Sequence, residues 1–202
     1  MKLNKYHGWM LVMLILNMKV NAQANAETQA FIFQTKRLVE TMDYLGTPIS
    51  IGDKKNIENT VSKADEEKCI ANIETVLTKY VLFSVVVNPE SRVAVTPGMA
   101  KAILLQHGWA TFLIKVENQA GITAKLEVLS EQAKRNYDGG EKIYGFGNKD
   151  NGKTVTRKDI ADRWMDMSLY TKAPMQNTLS GLQTEYFIIQ LYSWDAGKRA
   201  AR

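Results

Sequence analysis

The chain has 202 residues, of which 45% are hydrophobic and 23% are charged. This length is enough for one domain with a real core, and the composition argues against intrinsic disorder. The formal net charge of +5 falls to +2 without residues 1–22, which hold three lysines and no acidic residue, so nucleic-acid binding is not expected.

The first 22 residues have the pattern of a secretory signal peptide. Lys2 and Lys5 supply a positive start, residues 10–16 are an unbroken apolar run, and Val20-Asn21-Ala22 is a small-residue cleavage pattern. The apolar run is too short to cross a bilayer, which takes about 20 residues. We therefore expect an exported protein, periplasmic or extracellular, that has no contact with the membrane after cleavage.

Residues 27–80 carry apolar side chains at helical spacing, which predicts a short N-terminal helical unit. The first helix is expected over 28–45, because Gly46 and Pro48 then stop it. Asp53 is expected to cap a short second helix that carries Ile57 and Val61 on one side.

A third helix is predicted after the acidic run Asp65-Glu66-Glu67, whose charges suit the positive end of a helix dipole. Lys79 falls in its last turn. The apolar side chains of this helix recur at helical spacing, and they are Ile70, Ile73, Leu77 and Tyr80.

From residue 81 onward the pattern changes to that of strands. Residues 81–87 are rich in β-branched side chains, and residues 93–95 alternate. Residues 112–117 alternate, and residues 126–128 resume the alternation after a turn, which predicts a β-hairpin.

Two more strands are expected over 164–170 and 185–192, which makes about six in all. The predicted fold is therefore α+β: a helical unit over 27–80, then an antiparallel β-sandwich-like domain over 81–202. A glycine-rich loop is expected over 139–151 and a brief helix over 157–162.

Residues Gly147–Thr154 fit the phosphate-binding pattern G-x-x-x-x-G-K-[ST], in which Lys153 would meet the outer phosphates and Thr154 a magnesium ion. A phosphate loop of this kind follows a buried strand and opens a long helix. Residues 141–146 are short and interrupted by glycine, so a glycine-rich surface hairpin is the alternative that we prefer.

No complete catalytic or metal-binding set emerges from the sequence, and we assign no catalytic, metal or cofactor residue. Only His7 and His107 are present, and His7 lies in the signal peptide, so no histidine pair is left to hold a metal. Nucleophilic catalysis would need His107 as the base, with a serine or Cys69 as the nucleophile. The position of His107 before Gly108 favours a turn or surface residue, and the helical setting of Cys69 favours a small buried apolar residue.

Four acidic residues could in principle bind calcium, although their spacing is not that of a calcium loop; they are Asp162, Asp166, Glu185 and Asp195. Several aromatic residues could form a surface on which a carbohydrate stacks, although strand aromatics commonly pack in a core. These are Trp109, Trp164, Trp194, Tyr170, Tyr186 and Tyr192.

Several stretches, in the same order over residues 38–200, resemble the N-terminal region of large exported bacterial proteins that carry a PHP-type metal-dependent hydrolase-like domain downstream. They are Asp43-Tyr44-Leu45-Gly46, Asn88-Pro89-Glu90-Ser91-Arg92-Val93, residues 112–123, Leu179-Ser180-Gly181-Leu182 and residues 191–198. The resemblance implies metal ligands in histidine-rich motifs beyond this chain, so none is carried over. Trp194 departs from the pattern of those proteins, in which arginine is expected before Asp195-Ala196-Gly197-Lys198.

The resemblance also implies that residues 198–202 continue into a further strand, so that the β domain is incomplete at its C-terminus. The expected function is that of an exported non-catalytic accessory or interaction module, with another protein or a downstream domain as its partner. The alternative is the N-terminal fragment of an exported PHP-type metallohydrolase.

Overall fold

A computed structural model describes residues 26–62, 66–134, 149–150, 153–154 and 163–201. Three helices come first: α1 (residues 26–44), α2 (Ile51–Ser62) and α3 (Glu66–Leu77), which a 3₁₀ turn over Thr78–Tyr80 extends. Eight strands follow: β1 (Val81–Val87), β2 (Val93–Pro97), β3 (Trp109–Asn118), β4 (Ala133–Lys134), β5 (Lys149–Asp150), β6 (Lys153–Thr154), β7 (Met165–Leu169) and β8 (Thr184–Ser193).

The α+β class is confirmed, with the helices preceding the strands in the chain. The predicted signal peptide, the predicted helix over 157–162 and most of the predicted loop over 139–151 lie outside the described residues. Of that loop the structure describes residues 149–150, which form β5. Among the helices that the structure describes, none combines the length and the apolar character needed to cross a bilayer.

Six of the strands form one mixed sheet in the order β2-β1-β3-β8-β7-β4. β1 lies parallel to β3 and β4 parallel to β7, and the other neighbours are antiparallel. The prediction of an antiparallel sheet is therefore wrong. Residues 88–108, which include β2, carry the chain back to the end of the sheet where β1 begins. Because β3 then starts from the same end as β1, the two strands run parallel. Nor do the described strands form the second facing sheet of a sandwich, since the remaining pair, β5 and β6, is a two-stranded hairpin.

The predicted hairpin of residues 112–117 with 126–128 is also wrong. Both edges of β3 are already occupied, one by β1 and the other by β8. Leu126 instead donates its backbone N–H to the carbonyl of Asn177 at 2.6 Å. The alternation of Leu126 and Val128 reflects packing of these side chains against the sheet, which requires no strand pairing.

The first two helices are bounded by local signals. Gly46 has a φ of 73°, and the N–H of Thr47 donates to the carbonyl of Met42 at 3.1 Å, so α1 ends in a left-handed cap. Ser50 caps α2, because its hydroxyl accepts from the N–H of Asp53 at 3.2 Å. The prediction that Asp53 is the cap is wrong: Asp53 lies in the first turn of α2 and accepts from the Ser50 hydroxyl at 2.6 Å.

The two faces of the sheet have separate cores. The helix-side core joins α1, α2 and α3 to the sheet through Val81, Leu113, Tyr186 and Ile188. The opposite core is built by the other face of the same strands, with segments 120–128 and residue 179 packed on it. Cys69 is buried in the helix-side core, as its helical setting predicts.

Asp53 also joins α2 to the end of α3. Its carboxylate accepts from Lys79 Nζ at 2.7 Å and from the Tyr80 hydroxyl at 2.6 Å, and the residue is 6% exposed. Hydrogen bonds from Lys79, Ser50 and Tyr80 lower the pKa of this carboxyl from 3.8 to about 2. The ionised carboxylate therefore holds the start of α2 against the end of α3.

Replacing Asp53 by alanine is expected to reduce the free energy of unfolding by about 2 kcal/mol at neutral pH, because α2 loses its cap partner and Tyr80 its acceptor. Since the pKa is lower in the folded chain, this contribution is complete above pH 3.8 and is lost as the pH falls through about 2. Urea unfolding at pH 7 and at pH 2.5 measures both effects.

Asp43→Asn is the matched control, because the ion pair of Asp43 with Lys54 is partly exposed and is expected to contribute less than about 1 kcal/mol. Equal losses of stability for the two variants, or a loss for Asp53→Ala that does not shrink at low pH, would contradict this role of Asp53.

Candidate ligand-binding face

The two-residue period of the strands places Leu113 and Ile188 opposite each other on the helix-side face, where both are fully buried. Toward the start of β3 and the end of β8 the same face becomes exposed. There Trp109 lies opposite Tyr192 and is 50% exposed.

An aromatic cluster occupies this end of the sheet. The ring centres of Trp109 and Tyr192 are 5.3 Å apart, and those of Tyr192 and Trp194 are 4.7 Å apart at an interplanar angle of 66°. The His107 ring meets Trp194 edge-on, with the centres 6.5 Å apart. Tilted and edge-to-face contacts at these separations are favourable for aromatic pairs, so the rings support one another.

The backbone fixes the cluster in place. His107 has a φ of 54°, which is uncommon for a residue other than glycine, and its N–H donates to the carbonyl of Ser193 at 2.8 Å. The N–H of Ser193 in turn donates to the carbonyl of Gly108 at 3.3 Å, and that of Trp194 to the carbonyl of Trp164 at 2.9 Å. These bonds join the segment before β3 to the end of β8 and the start of β7.

Polar side chains continue the same face beside the rings. In the strand register Tyr192 lies opposite Asp166 of β7, and Gln190 lies between Thr111 of β3 and Ser168 of β7. All four polar residues are half-buried. None of their side chains has a hydrogen-bond partner in the part of the chain that the structure describes, and none of their polar atoms is both buried and unpaired, so these groups are open to water or to a ligand.

We call this surface the sheet-end face. It comprises His107, Trp109, Thr111, Asp166, Ser168, Gln190, Tyr192 and Trp194. Its aromatic part offers flat apolar surface, and its polar part offers a carboxylate, an amide and two hydroxyls with unused hydrogen-bonding capacity. Such a face can hold a ligand that has both an apolar ring surface and several hydroxyl groups.

The aromatic residues singled out in the sequence separate into two groups. Trp109, Tyr192 and Trp194 form the exposed cluster, and the backbone of Trp164 pairs with Trp194. Tyr170 and Tyr186 belong to the helix-side core instead. Tyr186 contacts the ring of Phe31 and is 1% exposed, so burial raises the pKa of its hydroxyl above the ordinary value.

The other residues considered in the sequence do not assemble. Asp166 lies on the helix-side face, Glu185 on the opposite face at the far end of β8, and Asp195 pairs with Arg199 at 2.8 Å. Asp162 lies outside the described residues. No group of three or more metal-ligating side chains occurs within the described ranges. Cys69 is in the helical core, whereas His107 is in a surface turn.

Of the phosphate-loop match Gly147–Thr154, the structure describes residues 149–150 and 153–154. These form the two strands β5 and β6, which pair antiparallel with Lys149 opposite Thr154 and Asp150 opposite Lys153. A phosphate loop would place Lys153 and Thr154 at the start of a helix. The described residues therefore fit a hairpin, as the sequence favours, and not a phosphate loop.

Of the polar residues of the sheet-end face, sequence reasoning named Asp166 alone and missed Thr111, Ser168 and Gln190. The usable signal was the strand period: Gln190 is two residues before Tyr192, and Thr111 two residues after Trp109, so each shares a face with its aromatic neighbour. The register between strands, which joins these pairs into one surface, was absent from the sequence pattern.

Comparisons with protein-family models, with curated proteins and with solved structures return no match to this chain. A function for the chain therefore has to be inferred from the geometry of the sheet-end face.

Proposed function

We propose that the chain is an exported, non-catalytic accessory module that binds a glycan through the sheet-end face. The observation that carries this proposal is the combination of two exposed tryptophans with four half-buried polar side chains that lack partners among the described residues. A pyranose ring has an apolar C–H face, which suits an indole, and a rim of hydroxyls, which suits carboxylate and amide groups. The predicted signal peptide supports this function, because export brings the chain to extracytoplasmic polysaccharides.

The mixed chemistry of the face favours a glycan over a protein partner. The buried centre of a protein interface is depleted in charged residues and rich in apolar contacts. Here Asp166 lies next to Tyr192 and the polar row of Thr111, Gln190 and Ser168 continues the face. A sugar can satisfy each of these groups with a hydroxyl.

The test is retention of the purified chain by insoluble polysaccharides, namely cellulose, chitin, xylan and peptidoglycan. We expect one of them to retain the chain, and we expect the double variant Trp109→Ala, Trp194→Ala to lose at least tenfold in apparent affinity, because both stacking surfaces are removed. Gln190→Ala is expected to lose several-fold, because it removes one hydrogen-bonding group.

Tyr44→Ala is the matched control, since Tyr44 is an aromatic residue of α1 that is 80% exposed and is not one of the residues of this face. Melting temperatures of all variants check that the fold is intact. The proposal fails if no polysaccharide retains the chain, or if the double variant is retained as well as Tyr44→Ala.

A second proposal comes from the resemblance to exported PHP-type proteins. In it the chain is the N-terminal module of a larger metallohydrolase and directs a downstream catalytic domain to its substrate. The reading frame beyond the codon for Arg202 decides this proposal: a continuing frame with histidine-rich metal-binding motifs supports it, and a stop codon contradicts it.

A further inference from the structure

The strand β2 is at an edge of the six-stranded sheet. It pairs with β1 on one side, and no described strand pairs with it on the other. All of its residues are exposed, and the side chains of Val93 and Val95 are 63% and 60% exposed. Proteins commonly protect such an edge with charged side chains, because an unpaired strand is a template for pairing with another. Residues 93–100 carry no charged side chain, so this edge lacks that protection.

The backbone of β2 presents unpaired hydrogen-bonding groups at this edge. The N–H of Gly98, directly after the strand, donates to the carbonyl of Leu82 at 2.8 Å. Because backbone groups alternate between the two sides of a strand, the even-numbered residues of β2 face β1, whereas Val93, Val95 and Pro97 face outward. Pro97 has no N–H, but it is the last residue of the strand and still offers its carbonyl.

The apolar side chains of β2 extend the opposite core to this edge. In the strand register Val93 lies opposite Val87 and Val95 lies opposite Val85, and both partners are buried in that core. Met99, shortly after the strand, is 71% exposed. The apolar face of the sheet therefore ends in exposed side chains that one more strand would partly cover.

We propose that β2 pairs antiparallel with β2 of a second copy of the chain, about a two-fold axis at Val95. Val95 is the middle residue of β2, so this register overlaps the two strands completely. The N–H of each Val95 then donates to the carbonyl of Val95 in the copy, and the N–H of each Val93 donates to the carbonyl of Pro97. The carbonyl of Val93 faces the proline nitrogen and stays accessible to water at the end of the strand pair.

The features of this edge favour a second copy as the partner. Residues directly opposite each other in an antiparallel pair share a face, so the valines of the two copies form one apolar row that joins the two opposite cores. Antiparallel pairing also brings the end of β2 near Glu90 beside the end of the copy near Lys101, and both residues are exposed. No like charges meet within the strand pair, since residues 93–100 are uncharged.

Sedimentation equilibrium of the purified chain from about 1 μM to about 1 mM tests this pairing, because the range covers weak and moderate affinities. We expect an equilibrium between monomer and dimer. Val95→Lys and Val95→Glu are each expected to weaken the dimer about tenfold, since like charges would face each other across the axis. An equimolar mixture of the two variants is expected to regain the lost affinity, because lysine then faces glutamate.

Ile51→Lys is the matched control, since Ile51 is an apolar residue of α2 that is 86% exposed and does not belong to β2. It is expected to dimerise like the wild type. A chain that is monomeric at every concentration would overturn the proposal. Val95 variants that dimerise as strongly as Ile51→Lys, or a mixture that associates no better than its components, would overturn it too.

Disulfide cross-linking tests the register of the pair. Val95→Cys is expected to form a covalent dimer on oxidation, because opposite Cα atoms lie about 5 Å apart. Ala94→Cys is not, because Ala94 would lie opposite Thr96 of the copy, which leaves the two Ala94 Cα atoms about 8 Å apart. Cys69 is buried, so it is not expected to compete. Equal cross-linking of the two variants would contradict the two-fold axis at Val95 and overturn the proposal.

Discussion

Replacing Gly98 by alanine is expected to lower the free energy of unfolding by about 3 kcal/mol, because the added methyl group has no room. A Cβ at this position would lie 2.7 Å from the carbonyl carbon of Val81 and closer still to its oxygen. The backbone cannot move aside easily, because two hydrogen bonds tie it to β1. The N–H of Gly98 donates to the carbonyl of Leu82 at 2.8 Å, and the N–H of Ala100 donates to the carbonyl of Val81 at 2.9 Å. Urea unfolding at equilibrium measures the effect.

Gly52→Ala is the matched control for this prediction. Gly52 lies in the first turn of α2, and a Cβ there would have no atom within 4 Å. Alanine is a better helix former than glycine, so this variant is expected to be more stable than the wild type by up to about 1 kcal/mol. If Gly98→Ala is as stable as Gly52→Ala, the backbone of residue 98 does not lie as close to β1 as the structure places it.

Leu113→Ala is expected to cost about 3 kcal/mol, because it leaves a cavity where the helices meet the sheet. Leu113 is fully buried, lies opposite Ile188 in the register of β3 and β8, and belongs to the core that includes residues of all three helices. A large loss therefore tests whether the helices and the sheet share one core.

The control is Leu129→Ala, since Leu129 is 69% exposed and its truncation is expected to change the stability by less than about 0.5 kcal/mol. Chemical denaturation of the two variants under the same conditions gives the comparison. A loss for Leu113→Ala as small as that for Leu129→Ala would mean that the described packing of the helices on the sheet is incorrect.

The local elements were predictable because their signals are local. The helical spacing of Ile73 and Leu77 and the β-branched run of β1 reflect burial of each element's own face, which the sequence records directly. Strand pairing depends on partners far apart in the chain. Residues 112–117 and 126–128 therefore looked like a hairpin, although β8, more than 60 residues later, is the partner of β3.

The candidate site was predictable only in part for the same reason. Trp109 and Trp194 stood out as large aromatics, but their meeting depends on the pairing of β3 with β8. Gln190 and Ser168 are ordinary polar residues in the sequence. They become notable only because the register places them beside the aromatic cluster with no partner among the described residues.

The central claim is that the sheet-end face binds the ligand, and ¹H–¹⁵N NMR of the labelled chain tests it most directly. The titrant is a soluble oligosaccharide from the polysaccharide that retains the chain. We expect the largest shifts at the indole N–H groups of Trp109 and Trp194 and at the side-chain amide of Gln190. Shifts confined to other surfaces, such as the edge strand Val93–Pro97, or none at saturating oligosaccharide, would contradict the claim.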